Sequence, residues 1–212
     1  MLTGLRLLWH RWAARRKMNR VFSRGRDPYG YKKNPYERGR LAGMREALSG
    51  RRFKHALEVG SAEGVFTAAL AEQAERVTGL ELSPVALDRA RAALAGRQGV
   101  DFLEADVRVW EPAPGQRFDL IVLGDVLYYM DKPLVRDEFE RVFARLAGWL
   151  DAGGRMLLAH GFAGERERAV RRGYRERFEH AGLVLESETV LGRAEKEGDV
   201  RCLLSLLGKP GN

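Results

Sequence analysis

At 212 residues, 45% hydrophobic and 31% charged, the chain has material for one sizeable core. Cys202 is the single cysteine, which excludes an intramolecular disulfide, and four scattered histidines argue against a cysteine-rich zinc site, so no metal is expected. No run of about 18 apolar residues is present to span a membrane. Arg6, His10 and Arg11 interrupt the start too early for a secretory signal, so the cytoplasm is the expected compartment. The net charge of +8 is uneven: residues 1–40 hold 12 Lys/Arg against two acids, and the other 172 hold 25 against 27. A basic arm on a near-neutral body speaks for a small-molecule site over a nucleic-acid one.

In chain order, Leu2, Leu5, Leu8, Trp9 and Trp12 recur at helical spacing among arginines, which predicts an amphipathic basic helix over 3–22. Its apolar stripe is expected to pack on the domain, with contact to a membrane surface or a partner helix as the alternative. An Arg-rich, acid-poor start also resembles an organelle transit peptide. Residues 27–36 form a turn-rich linker with three tyrosines, and a helix follows from about Tyr36 to Leu48. The organisation read from this is an N-terminal helical arm or lid over residues 1–50 and a catalytic domain over 51–212. Within the domain, strands are expected at 55–59, 76–81, 100–104, 118–123 and 155–160, with helices at 64–74, 84–95, 135–149 and 164–181. Repeated βα units predict a mostly parallel α/β sheet with right-handed crossovers. Strands 183–191 and 199–207 have no long helix between them, so they should close as an antiparallel hairpin at the sheet edge.

The chemistry sits at strand ends. Ala56 to Phe66 runs from an apolar strand through Glu58 into a loop with Gly60 and Gly64, then into a helix. Gly60 would let the backbone approach a ligand, and Gly64 would let helix and strand pack closely. The third and sixth positions from Gly60 are Ala62 and Val65, so this is not the dinucleotide fingerprint. Glu81 ends the second strand 21 positions after Gly60, where a carboxylate could take both ribose hydroxyls. Asp106 follows the third strand, and Asp125 ends the fourth. One acid at a strand end is usually a helix cap. Three in register with a glycine loop make a cofactor site.

The acid-x-Gly-x-x-x-Gly pattern resembles the cofactor loop of class I S-adenosylmethionine (SAM) methyltransferases. More closely, the segments Asp27-Pro28-Tyr29, Asn34 to Arg38 with Arg40, His55 to Thr67, Asp119 to Tyr129 and Asp199 to Leu204 are similar to the nodulation N-methyltransferases. Those enzymes act on a deacetylated chitooligosaccharide. The likeness runs from about residue 27 onward. Glu81 stands where that family tends to have Asp, and the family usually has Glu in place of Asp125. His160 and the Arg/Glu-rich segment 161–180 depart from the family on the substrate side.

The resemblance implies a Rossmann-like class I fold with a lid, SAM as cofactor and S-adenosylhomocysteine (SAH) as product. It implies N-methylation of a small-molecule acceptor, an amino sugar or related amine. O-methylation, or RNA methylation using the basic arm, is the alternative, and either a monomer or a homodimer is compatible. The expected cradle is Glu58, Gly60, Ser61, Ala62, Gly64, Glu81, Leu82, Asp106, Val107 and Gly124, with Asp106 accepting from the adenine amino group. Arg40 is expected at the cofactor carboxylate, with Tyr29 and Tyr36 beside it. On the acceptor side, Asp125 is expected to hold the ammonium, His160 to take the proton and Tyr129 to assist. Tyr128 and Tyr31 are expected against the substrate. An acid at position 125 would favour a cationic or hydroxylated acceptor over a phosphate or carboxylate.

Overall fold

The computed structural model describes residues 2–196 and 198–211, and the side chains of the first helix from Arg6 onward. The elements are α1 (Leu2–Ser23), α2 (Pro35–Ala47), β1 (Phe53–Val59), α3 (Val65–Leu70), β2 (Ala74–Glu81), α4 (Pro84–Ala93), β3 (Val100–Glu104), β4 (Phe118–Gly124), α5 (Leu127–Met130), α6 (Arg136–Trp149), β5 (Leu150–Phe162), α7 (Glu165–His180), β6 (Val184–Leu191) and β7 (Arg201–Gly208). A short 3-10 turn, Pro133–Val135, joins α5 to α6.

The seven strands lie in the order β3-β2-β1-β4-β5-β7-β6. β1 to β5 are parallel, and β7 runs antiparallel between β5 and β6. The expected edge hairpin is therefore present, with β6 outermost. The strand order reverses between β1 and β4, which opens a crevice at their carboxyl ends.

Strand alternation splits the core. Leu57, Val59, Ile121, Leu123, Met156 and Leu158 point to one face, where α6 and α7 cover them with Phe139, Phe143, Tyr174 and Phe178. Ala56, Leu120, Val122, Leu157 and Ala159 point to the other, under Met44 and Leu48 of the α2 segment and Phe66 and Leu70 of α3. Strands buried on both faces read as continuous apolar runs, which is why the parallel sheet was legible in the sequence.

Boundaries moved where pairing overrides propensity. The helix expected over 64–74 stops at Leu70, because Ala74 already pairs with Phe53 at the start of β2. β5 starts at Leu150, opposite Phe118, and the expected turn Asp151–Gly154 is a bulge within it; pairing resumes at Leu120–Arg155.

α1 corrects the sequence expectation. Leu8, Trp9 and Trp12 are exposed, and the side chains of Leu2 and Leu5 lie outside the described residues. The helix packs instead through Met18 and the fully buried Phe22, which meet Ala62, Val85 and Ala86. Both faces of the helix carry apolar residues, so spacing alone did not say which face turns inward.

Gly64 is held at φ 79°, and an added Cβ would come within 3.1 Å of Ala90 Cβ and 3.2 Å of Phe102 Cζ. Gly64→Ala should lower stability by about 1–3 kcal/mol, from left-handed strain and overpacking. Thermal unfolding checks this, and an unchanged midpoint would mean that α4 moves aside freely.

Candidate functional site: a cavity at the carboxyl ends of the strands

A cavity of about 570 Å³ opens at the switch point, large enough for a nucleoside-sized ligand. Gly60 and Ala62 form its floor; Glu81, Leu82, Asp106 and Val107 form one wall; Gly124, Asp125, Tyr128 and Tyr129 form the other. Tyr29, Tyr31, Tyr36 and Arg40 close it from the N-terminal side, and His10, Ala14, Lys17 and Met18 of α1 roof it. Fourteen of the residues expected at the site thus meet in one cavity, while Glu58, Ser61, Gly64 and His160 do not reach its lining.

Among the described residues, three other than glycine have positive φ: Asp27 at 52°, Ala62 at 48° and Asp125 at 50°. Ala62 and Asp125 line the cavity. Asp27 accepts the Tyr31 N–H at 2.8 Å and, through its own N–H, donates to Glu63 Oε2 at 2.9 Å. Glu63 also pairs with Arg89 at 2.6 Å, so an acid of the glycine loop latches the linker at Asp27. Strain of this kind collects at binding sites, where surrounding bonds over-determine the backbone.

Glu81 is the best-fixed acid. Its Oε1 accepts from the N–H groups of Leu82 at 2.8 Å and Ser83 at 2.9 Å, and its Oε2 accepts from Ala62 at 3.1 Å. Burial pushes its pKa up, while these backbone donors oppose the shift. Three of the four acceptor positions are thus taken at the end of β2, and the one left on Oε2 can take a ribose hydroxyl. Gly60 makes room beneath: at φ 82°, a Cβ there would meet Val126 Cγ2 at 3.1 Å. Carboxylate, glycine floor and the apolar slot of Leu82 and Val107 fit the ribose and adenine of SAM.

Asp106 reaches the same wall, but its acceptor capacity is used within the protein. Oδ1 accepts from the Arg108 backbone N–H at 3.0 Å and from its Nε at 2.9 Å. Oδ2 accepts Arg108 Nη2 at 2.6 Å, and Arg11 Nε lies 3.4 Å away. Three hydrogen bonds, all from Arg108, leave one acceptor position on Oδ2, which is all that the expected bond to an adenine amino group could use. Asp106 also orders the buried Arg108, whose Nη1 meets His10 Nδ1 of the roof at 2.8 Å.

Glu58 is also corrected. It lies behind the cavity surface and accepts the Thr67 hydroxyl at 2.5 Å; burial pushes its pKa up to about 8. It braces β1 against α3. Ser61 is buried beside it in the loop, and its N–H bonds the Leu80 carbonyl at 3.0 Å.

Asp125 joins the two sides of the site. Its Oδ2 accepts the Tyr36 hydroxyl at 2.7 Å and lies 3.2 Å from Arg40 Nε; its Oδ1 accepts the Gly161 N–H at 2.7 Å. Arg40 is buried and also binds Glu37 at 2.6 Å. Its guanidinium packs over Gly124, where a Cβ would come within 2.9 Å of Nη1. Burial and the Asp125 charge push the Tyr36 and Tyr128 pKa values up, so both stay protonated as donors.

His160 is not the base that its position suggested. It is 2% exposed, its Nε2 accepts the Leu127 N–H at 3.4 Å, and its ring sits edge-on between Tyr128 and Tyr174. Burial lowers its pKa to about 4, so it is neutral and supports Tyr128 from beneath. The folded state disfavours the proton that the unfolded chain binds below about 6.5, so stability present above that pH falls as pH drops toward about 4. His160→Gln should remove about 3 kcal/mol of this acid-side slope. Urea unfolding at several pH values checks this, and an unchanged slope would rule it out.

Several lining residues carried no sequence signal. His10, Lys17, Glu37, Arg108 and Arg171 look like ordinary solvated charges, and only the fold of the arm and of α7 brings them to the cavity.

A parallel sheet with β7 inserted antiparallel, and a carboxylate fixed beyond a glycine loop at the switch point, define the fold and cofactor cradle of class I SAM-dependent methyltransferases. The family model of Nodulation protein S (NodS) matches residues 15–154, and the chain belongs to that family. Nodulation protein S of Sinorhizobium fredii (strain NBRC 101917 / NGR234) is 36% identical over 123 residues, 57% of this chain and 56% of that protein. That of Rhizobium tropici is 37% identical over 105 residues, 49% of this chain and 43% of that protein. The chain thus spans about half the length of the curated relatives it matches. The crystal structure of N-methyltransferase NodS from Bradyrhizobium japonicum WM9 in complex with SAH superposes with a TM-score of 0.78 at 24% identity, over 93% of this chain and 98% of that one. At that identity the likeness speaks for the fold.

Proposed function

We propose that this chain transfers a methyl group from SAM to the amine of a small acceptor, an amino sugar or a related metabolite. The observation that carries the acceptor reading is the wall formed by Asp125, Tyr128 and Tyr129. Asp125 Oδ1 accepts one bond, from Gly161, and keeps a lone pair for an N–H or O–H of the acceptor. The carboxylate is partly open, with 17% of its side chain exposed. The tyrosines supply hydroxyls of the kind that hold sugars, on rings kept in place by each other and by Arg171 and Lys17. SAM supplies an activated methyl and its own leaving group.

The chain's part is positioning. Glu81 would hold the ribose. Arg40, kept in place by Glu37 and Asp125, would meet the cofactor carboxylate. Asp125 would orient the acceptor N–H so that the nitrogen lone pair faces the cofactor. With His160 buried and neutral, the acceptor sheds its proton to solvent. An amine of pKa about 8 is roughly one-tenth neutral at pH 7, which supplies nucleophile without a side-chain base.

The test is methyl-labelled SAM with glucosamine oligomers bearing a free 2-amine, beside their N-acetylated forms. Label on the free amine alone is expected, with a rate that rises from pH 7 to 9 and no ionisation near 6.5. Equal labelling of the N-acetylated sugars would move the activity to oxygen and overturn the reading.

A further inference from the structure

The inward face of α1 roofs the cavity, but its outward face is unpartnered. On that face Leu8 and Trp12, one helical turn apart, are 58% and 55% exposed, and Trp9, 60% exposed, sits at the margin where the helix also lines the cavity. The Arg16 guanidinium sits 5.2 Å over the Trp12 ring, and Arg20 continues the same face. Across its 22 residues the helix holds six Lys/Arg and no acid.

Two exposed tryptophans flanked by arginines match the chemistry of a lipid headgroup layer. Indole rings settle at the boundary between headgroup and acyl chain, and guanidinium groups pair with lipid phosphates. Charge complementarity also selects the partner. Residues 1–40 carry a balance of +10, whereas the remaining chain carries −2, so an anionic surface attracts this arm over the body as a whole.

We propose that the outer face of α1 docks on an anionic membrane surface. No helix among the described residues is long and apolar enough to cross a membrane, so the contact is peripheral. The helix that lies on the lipid would be the same one that roofs the cavity, which places the site beside the bilayer.

Sedimentation of the full chain with vesicles tests this. Equimolar phosphatidylglycerol and phosphatidylcholine should bind it at least tenfold better than pure phosphatidylcholine, and added salt should weaken binding. Arg16→Ala with Arg20→Ala should reduce partitioning about 25-fold, at about fivefold per basic residue. Leu8→Ala with Trp12→Ala should reduce it roughly tenfold or more. All four positions are exposed, so circular dichroism should show an intact fold. Absence of binding, or equal binding to neutral vesicles, overturns the proposal. So does a dimer that the Leu8→Ala, Trp12→Ala pair converts to monomer without any vesicle binding. Binding to single-stranded RNA that exceeds vesicle binding and ignores Trp12→Ala would overturn it as well.

Discussion

Glu81→Gln should weaken SAH binding roughly 10- to 150-fold, the loss of a charge-assisted hydrogen bond worth about 1.5–3 kcal/mol. The geometry sharpens the expectation. Oε1 serves two backbone donors, Leu82 and Ser83, and Oε2 serves Ala62. A glutamine that keeps its oxygen at the first position turns its NH₂ toward the Ala62 N–H, donor against donor. Ala62 sits at φ 48° on the cavity floor, so the loop should loosen together with the ribose site. Calorimetric titration with SAH measures the affinity, and thermal unfolding reports the loop. Wild-type affinity in Glu81→Gln would mean that the ribose does not bind at the end of β2.

Asp125→Asn should reduce turnover at least 100-fold and weaken SAH binding about tenfold. Asparagine tolerates the positive φ found there, so the backbone should survive. If its oxygen stays on the Gly161 N–H, its NH₂ faces the Tyr36 hydroxyl and Arg40 Nε, both donors. Arg40 is then left to Glu37 alone, and α2 loses its tie to β4. From the sequence, Asp125 belonged to the acceptor alone, and its loss should have spared the cofactor. The carboxylate bridges both, so both effects are expected, with turnover the larger. Tyr36→Phe removes one of these bonds without inserting a donor and should show a smaller loss of both. Asp125→Asn with wild-type turnover would reduce the network to a structural tie.

Much of the fold was legible before the structure because its signals are local. Apolar runs ending in Glu58, Glu81 and Asp125 marked the strands, and βα alternation marked the parallel sheet. Much of the cavity's lining was legible for the same reason, since it hangs on strand ends whose positions follow from the chain order. Glycines announced themselves at Gly60 and Gly64, where the turn has no room for a side chain.

Other assignments needed contacts between distant segments. His160 looked like a base at a strand end, and only the packing of Tyr128 and Tyr174 around it removes it from the cavity. Asp106 looked free until Arg108, two residues on, folded back to take three of its acceptor positions.

The sequence by itself determined the α/β sheet, the cofactor loop, the acid-tipped strands and the concentration of positive charge in the first 40 residues. Each is written in periodicity, spacing or composition, which survive without three-dimensional neighbours. Tertiary structure alone decided which face of α1 turns inward and which acids keep a lone pair for a ligand. It also decided that Asp125 serves Tyr36 and Arg40 across 89 and 85 positions of chain. Those outcomes depend on which buried group reaches which partner first, and no local pattern encodes that competition.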